Sequence, residues 1–203
     1  MKPWAIIPLA EPSVWIALRE RLRPLVEHVH LVLSSKGLAH AEEHLKPEPF
    51  LSYSVQDHPL GLGEAVFSAE PLWRVAESLL IVWGTHASES TLQATVQAHR
   101  GGLTLPLVEL PRPPVQFLFQ GDKLVQVLQR ETEPQGLCDV GLVMLSTRGL
   151  LAAWKDFRTH GDGEFLDFLP YISQHGTPTR RVFVSDPDEA RSHAEEVAEG
   201  FRF

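Results

Sequence analysis

The amino-acid sequence predicts an α/β layered fold around a largely parallel sheet. Short apolar runs alternate with segments of helical periodicity from residue 4 to residue 100. Several of these runs, such as SLLIVWG at 78–84, are apolar throughout and read as buried strands. A chain of 203 residues with 43% hydrophobic content is long enough for one sizeable core.

Each element follows from its own stretch. WAIIPLA (4–10) reads as a buried strand, SVWIALRERLRPLV (13–26) has helical spacing, and VHLVLSS (29–35) is the next strand. A polar helix, GLAHAEEHL, leads into a third strand candidate, FLSYSVQ (50–56). After the double-glycine turn of VQDHPLGLGEAVFSAE (55–70), residues 64–77 read as helix and SLLIVWG as strand. SESTLQATVQAHR (88–100) opens with the Ser and Glu of a helix N-terminus. Beyond residue 102 the character changes. LTLPLVEL, VQFLF and KLVQVL are strand candidates separated by PRPP and QGDK, expected as antiparallel pieces at a sheet edge. CDVGLVMLS reads as one buried strand, with helices near 147–158 and 163–173. RRVFVS and DPDEARSHAEEVAEGF close the chain as strand and helix, Asp186 and Pro187 suiting the helix start. No repeat, low-complexity tract or linker interrupts this order. One domain is therefore expected over 1–203, with 102–137 an edge-strand insertion on the substrate side and 186–203 a C-terminal helix.

Composition excludes several classes of function. A net charge of −8 leaves no chain-wide basic surface for nucleic acid, and RERLR (19–23) and TRR (179–181) are local clusters. The one cysteine, Cys138, rules out an intrachain disulfide framework and a thiolate metal cluster. The apolar run near the N-terminus is broken by Pro8 and is too short for a signal peptide core or a membrane span. These features lead to the expectation of a soluble cytoplasmic protein.

Four segments carry a resemblance: VQDHPLGLGEAV, SLLIVWGTHASESTLQATVQAHR, GLCDVGLVML and GDGEFLDFLPYI. In this order they resemble the nucleotidyltransferases that make nucleotide sugars, above all N-acetylglucosamine-1-phosphate uridylyltransferase domains and related sugar-phosphate nucleotidyltransferases. The resemblance implies a three-layer α/β/α sandwich with a mixed, mainly parallel sheet, Rossmann-like and glycosyltransferase-A-like. The first segment is similar to the family's Q-x-x-P-L-G-T-G-x-A, where the glutamine and the first glycine's backbone recognise the base. It implies nucleotide binding at Gln56, Leu60, Gly61, Leu62 and Gly63, with Leu62 replacing the usual threonine. The chemistry agrees, because a residue without Cβ lets the backbone lie against a planar base and a glutamine offers donor and acceptor at its edge. A tight strand-to-helix connection needed only for folding is the other reading of the same glycines.

The family's reaction is in-line attack of a sugar phosphate on a nucleoside triphosphate with loss of pyrophosphate, which demands charge neutralisation around the transferred group. Each device for it is altered here. Where the family has a Gly-rich loop with Arg and Lys, this chain has PLAEPSVWIALRERL, and Glu11 stands where a triphosphate would be cradled. The arginines that follow, Arg19, Arg21 and Arg23, are spread around a helix. The family's metal-binding Gly-Asp reads Gly84-Thr85. The later N-x-G survives in part as Asp139 and Gly141. The sugar loop reads PRPPVQF, and the usual acidic residue after the next strand is Gln129 or Arg130. Thr85, Asp139, Gly141, Glu164 and Asp167 are the remaining metal or substrate candidates, with Asp139 also open as a loop cap or a partner for an arginine.

Other constellations are thinner. HAEEH (40–44) matches an H-x-x-E-H zinc pattern without a third ligand, His86 is a single imidazole, and Cys138 has no assignable histidine partner. No G-x-S-x-G elbow, Walker A loop or G-x-G-x-x-G fingerprint is present. The sequence thus leads to a nucleotidyltransferase-like protein, Rossmann-like in fold, that has lost sugar-nucleotide synthesis. It would keep a pocket for a nucleotide or nucleotide sugar and act as a binding or interaction subunit, in a homo- or hetero-oligomer or alone. No catalytic residue and no cofactor is assigned. The alternatives are an active, divergent enzyme using Mg²⁺ held by Asp139 with Asp167 or Glu164 and a basic group such as Arg19, and a structural assembly protein.

Overall fold

The computed structural model describes residues 2–9, 12–45, 48–56, 58, 60–129, 134–160, 163–184 and 187–198. Ala10, Glu11, Pro59, Arg130 and Asp186, on which parts of the sequence reading rest, lie outside them. Along the described residues the chain runs β1 (Trp4–Leu9), α1 (Pro12–Leu22), β2 (His28–Leu33), α2 (Ser35–His44), β3 (Leu51–Val55), α3 (Leu62–Ser68) and α4 (Glu70–Trp73). It continues through β4 (Ser78–Val82), α5 (Glu89–Ala98), β5 (Leu103–Pro111), β6 (Gln116–Gln120), β7 (Lys123–Leu128), β8 (Gln135–Asp139) and β9 (Leu142–Ser146). The last elements are α6 (Leu150–Thr159), α7 (Phe165–Gln174), β10 (Thr179–Phe183) and α8 (Pro187–Ala198).

An eight-stranded sheet forms the middle layer, in the order β10-β5-β9-β4-β1-β2-β3 with β8 also paired to β5. The β3-β2-β1-β4 half is parallel, as apolar strands joined by helices require, and β10 is parallel to β5. β9 runs antiparallel between β4 and β5 and gives the sheet its mixed character. Strand alternation sorts the side chains onto two faces. Ile6, Val32, Leu79, Ile81, Leu105 and Val143 pack under α3, α4, α6, α7 and the β6–β7 hairpin. Ile7, Leu31, Leu80, Val82, Leu142 and Cys138 pack under α1, α2, α5 and α8. The result is the expected three-layer α/β/α sandwich.

Two parts of the chain differ from the sequence reading. Within 102–137, β5 does not lie at an edge but inside the sheet, between β10 and β9, while β6 and β7 leave it to form a separate two-stranded hairpin. The nine residues of β5 are long enough to pair with β9 along one half and β8 along the other. CDVGLVMLS is two strands, because Gly141 takes a φ of +75° and breaks the run between Asp139 and Leu142. The helix read over 64–77 is the pair α3 and α4, held together by the Trp73 indole donating to the Val66 carbonyl at 2.7 Å.

A polar row crosses the otherwise apolar face beside the open edge. His30 is fully buried and its two ring nitrogens meet the hydroxyls of Ser52 and Ser54, each at 2.9 Å, while His28 shares Ser52 at 2.7 Å. The β2–β3 register sets His30 opposite Ser52, and Ser52 and Ser54 point the same way because they are two residues apart. Burial, reinforced by His28, pushes the His30 pKa down to about 4. Between that value and the unfolded value of 6.5 the unfolded chain binds the extra proton, so stability falls as the pH drops through this window. Urea unfolding at pH 6.5 and pH 4 is expected to show His30 removing about 3 kcal/mol. The His30→Gln variant should lose that part of the difference; an unchanged pH slope would show that His30 does not contribute it.

Candidate functional site at the carboxyl edge of the sheet

The chain order reverses between β1 and β4, and open α/β sheets receive ligands beyond the carboxyl ends of strands at such a reversal. Gln56, Gly84, Thr85 and, from the amino end of antiparallel β9, Asp139 and Gly141 all arrive at this edge. Two walls result, and they differ in character.

The first wall follows β3. The Gln56 N–H extends the parallel ladder by donating to the Leu33 carbonyl at 2.8 Å, in register with Ser52 and Ser54. Its side-chain Nε2 is buried and finds no acceptor among the described residues. Leu60 stands 66% exposed. Gly61 is the N-cap of α3, with φ +92° and open space where a Cβ would be. Only its backbone conformation therefore demands glycine. Leu62 and Gly63, read from sequence as ligand-facing, turn the other way. The Leu62 side chain enters the apolar core, and a Cβ on Gly63 would run into the Trp154 indole. Trp154 stacks on Phe67 at 4.5 Å, so the missing Cβ at Gly63 lets α6 clamp α3 and thereby place Gly61.

The second wall is the Gly84–Gly141 contact. The Gly141 carbonyl accepts from the N–H groups of Trp83 and Gly84, both at 2.8 Å. A Cβ on Gly84 would lie 2.9 Å from the Gly141 Cα and 3.0 Å from the His193 Nδ1. A Cβ on Gly141 would lie 2.9 Å from the His193 Cε1. The imidazole of α8 thus rests on the two glycines. Its Nε2 is 3.4 Å from the Asp139 Oδ2, which also accepts from the Gly141 N–H at 3.0 Å. Asp139 is 1% and His193 3% exposed, and the Trp83 ring closes the pair from the side. Asp139 therefore caps the loop and also meets a histidine, where the sequence left open a loop cap or an arginine partner.

The other candidates serve local structure. Glu164 and Asp167 form the reciprocal capping box of α7. Arg19 pairs with Glu48 at 2.8 Å, Arg21 donates to the Ala87 and Thr85 carbonyls, and Arg23 lies over the Phe50 ring. Thr85 brings a neutral hydroxyl where Mg²⁺ needs carboxylate oxygen, and Asp139 is engaged by His193. Among the described residues no three His, Cys, Asp or Glu side chains are grouped to hold a metal, His40 and His86 included, and the His44 side chain of HAEEH lies outside them. This donor set does not fit Mg²⁺.

No protein-family model matches the sequence, and no curated protein matches it. Solved structures match its shape. A Bacillus anthracis protein assigned as a glucose-1-phosphate thymidylyltransferase, solved with sucrose, superposes with a TM-score of 0.72 at 12% identity over 100% of this chain and 97% of its own. HddC from Yersinia pseudotuberculosis, also solved with GMP-PN, gives 0.64 at 14% identity over 97% of this chain and 100% of its own. A 4-diphosphocytidyl-2C-methyl-D-erythritol synthase from Anaerococcus prevotii gives 0.63 at 11% identity, covering 96% of each chain. The two halves of the sheet and its ligand edge define a doubly wound α/β protein. Its particular fold is that of the nucleotidyltransferases. No helix among the described residues is long and apolar enough to cross a membrane.

Sequence reasoning missed His193 and the Ser52–Ser54–Gln56 row. The row was visible as polar residues at alternate positions of FLSYSVQ opposite the HVH of β2. Nothing local links His193 to Asp139, since the two meet only through the sheet. The glycine pair gives a direct check. Gly141 and Gly149 share a φ of +75°, but a Cβ on Gly149 meets open space. Gly149→Ala should cost about 1–2 kcal/mol of strain alone. Gly141→Ala adds displacement of Gly84 and His193 and should cost at least about 2 kcal/mol more. Equal losses in urea unfolding would mean that the corner is not tightly packed.

Proposed function

We propose that this protein binds a nucleotide or nucleotide sugar at the Gln56–Gly61 wall and does not synthesise sugar nucleotides, serving as a binding or interaction subunit. The observation that carries this reading is the Gln56 amide, whose buried Nε2 has no acceptor among the described residues, together with Gly61, where a Cβ would meet open space. A buried donor left unpaired costs about 1–3 kcal/mol, and the edge of a planar base supplies the missing acceptor. The fold shared with nucleotidyltransferases, one of them solved with GMP-PN, supports the ligand class. The occupied second wall supports the loss of synthesis, because Asp139 already meets the Gly141 N–H and the His193 ring and Arg19, Glu164 and Asp167 are committed elsewhere.

Isothermal titration against nucleoside triphosphates and nucleotide sugars tests the pocket. Binding by at least one of them is expected, and Gln56→Ala should weaken it about tenfold. Absence of heat with every ligand would remove the pocket and leave a structural role. Pyrophosphate release with a panel of sugar phosphates and triphosphates is expected to be nil. Release that disappears in Asp139→Ala would restore the active alternative.

A further inference from the structure

The amino end of the sheet holds a cavity of about 430 Å³, within the size range of small-molecule sites. It opens where β5 and β10 begin and antiparallel β9 ends, away from Gln56 and Asp139 at the carboxyl edge. Three turns frame it, and hydrogen bonds tie them together. The Gly102 N–H donates to the Ser146 hydroxyl at 2.9 Å, and the Ser146 N–H donates to the Gly102 carbonyl at 2.8 Å. The Leu103 N–H donates to the Pro178 carbonyl, and the Thr177 N–H to the Ile172 carbonyl. Gly149 and Gly176, with φ of +75° and +99°, stand on two of the turns, and a Cβ on either would meet open space. The hollow is therefore preformed, which lowers the cost of filling it.

Its lining is divided. Leu145, Leu150, Ala153 and Ile172 give an apolar floor that belongs to the core. Arg148 and His175 stand exposed at the mouth. The His175 ring is held in place, since its Nδ1 donates to the Tyr171 carbonyl at 2.7 Å and the ring stacks on Tyr171 at 4.1 Å. That leaves Nε2 to meet a ligand. The Asp156 carboxylate beside this wall is taken up by the Tyr171 hydroxyl. The field at this end of the sheet is positive as well. On the opposite face, Arg100 and Arg180 add to burial in holding the His99 pKa below its ordinary value.

We propose that this cavity is a second binding site, for a small organic anion. The ligand is a carboxylate or phosphate ester whose apolar body lies on Leu145, Leu150 and Ile172 and whose head group meets Arg148 and His175 at the mouth. A guanidinium pairs with two oxygens of either head group in one plane, so both belong to the class. The apolar floor selects against a bare inorganic ion, because its burial is gained only with a carbon body. The site is separate from the nucleotide wall and does not rest on it.

Benzoate and phenyl phosphate are the probes, titrated into the full-length protein and followed by proton–nitrogen correlation spectra. Saturating shifts are expected at the amides of Gly102, Gly149, Gly176 and Thr177, with a Kd of about 1 mM for ligands of this size. The tighter of the two names the head group. Inorganic phosphate, which lacks the apolar body, and benzyl alcohol, which lacks the charge, should each bind at least about tenfold more weakly. Arg148→Gln, at an exposed position, should weaken the better probe about tenfold. Ala153→Phe, which fills the floor, should abolish its binding, and if that variant does not fold, Arg148→Gln decides the matter. Three results overturn the site: no saturating shift with either probe, unchanged affinity in Arg148→Gln, or inorganic phosphate binding as tightly as phenyl phosphate. The last would mean an adventitious ion only. The shifting amides lie at the other end of the sheet from Gln56, so failure of one site is told apart from failure of the other.

Discussion

Two glycine backbones in contact set the geometry of the functional edge. Gly84 ends β4 and Gly141 begins the turn into β9, and neither position has room for a Cβ. Because they touch, the chain can step from β8, paired with β5, to β9, which inserts between β5 and β4 and turns a parallel sheet into a mixed one. The same contact delivers Asp139 to the carboxyl edge and makes a flat seat on which an imidazole rests. Strand topology, the buried carboxylate and the docking of α8 all follow from one close approach.

The two walls of the edge obey opposite rules. At the glycine pair the Asp139 Oδ2 accepts from the Gly141 N–H and lies 3.4 Å from the His193 Nε2, and neither glycine has room for a Cβ. At Gln56 a buried donor has no acceptor among the described residues, and at Gly61 a Cβ would meet open space. Satisfied groups stabilise a fold, whereas an unsatisfied one marks a place where something outside the chain completes the hydrogen bonding.

Most of the fold was legible in the sequence because apolar runs and helical spacing are local signals. The errors arose where placement depends on partners. LTLPLVEL reads the same at an edge or in the middle of a sheet, and only its pairing with β9, β8 and β10 decides between them. The break in CDVGLVMLS needed the φ of Gly141, which a glycine permits but does not announce. Gln56, Thr85, Asp139 and Gly141, named from segments of recognisable order, all lie at the carboxyl edge of the sheet. Leu62 and Gly63 belong to the same motif but face the core, since helical geometry turns successive residues about 100° apart.

His193 shows where a motif-based reading stops. It lies far from Asp139 along the chain, in a polar helix whose sequence suggests a solvated surface. Its role comes from three facts that are invisible separately: a strand order that brings β10 beside β5, a helix that returns over that strand, and two glycines that leave a hollow of imidazole size. Asp139 is buried, and a buried carboxylate left without any partner is strongly destabilising. An imidazole supplied from within the chain resolves that state and lets the glycine pair stay packed. Asp139, His193 and the two glycines therefore form one packed set, in which the imidazole meets the carboxylate and covers the glycine contact.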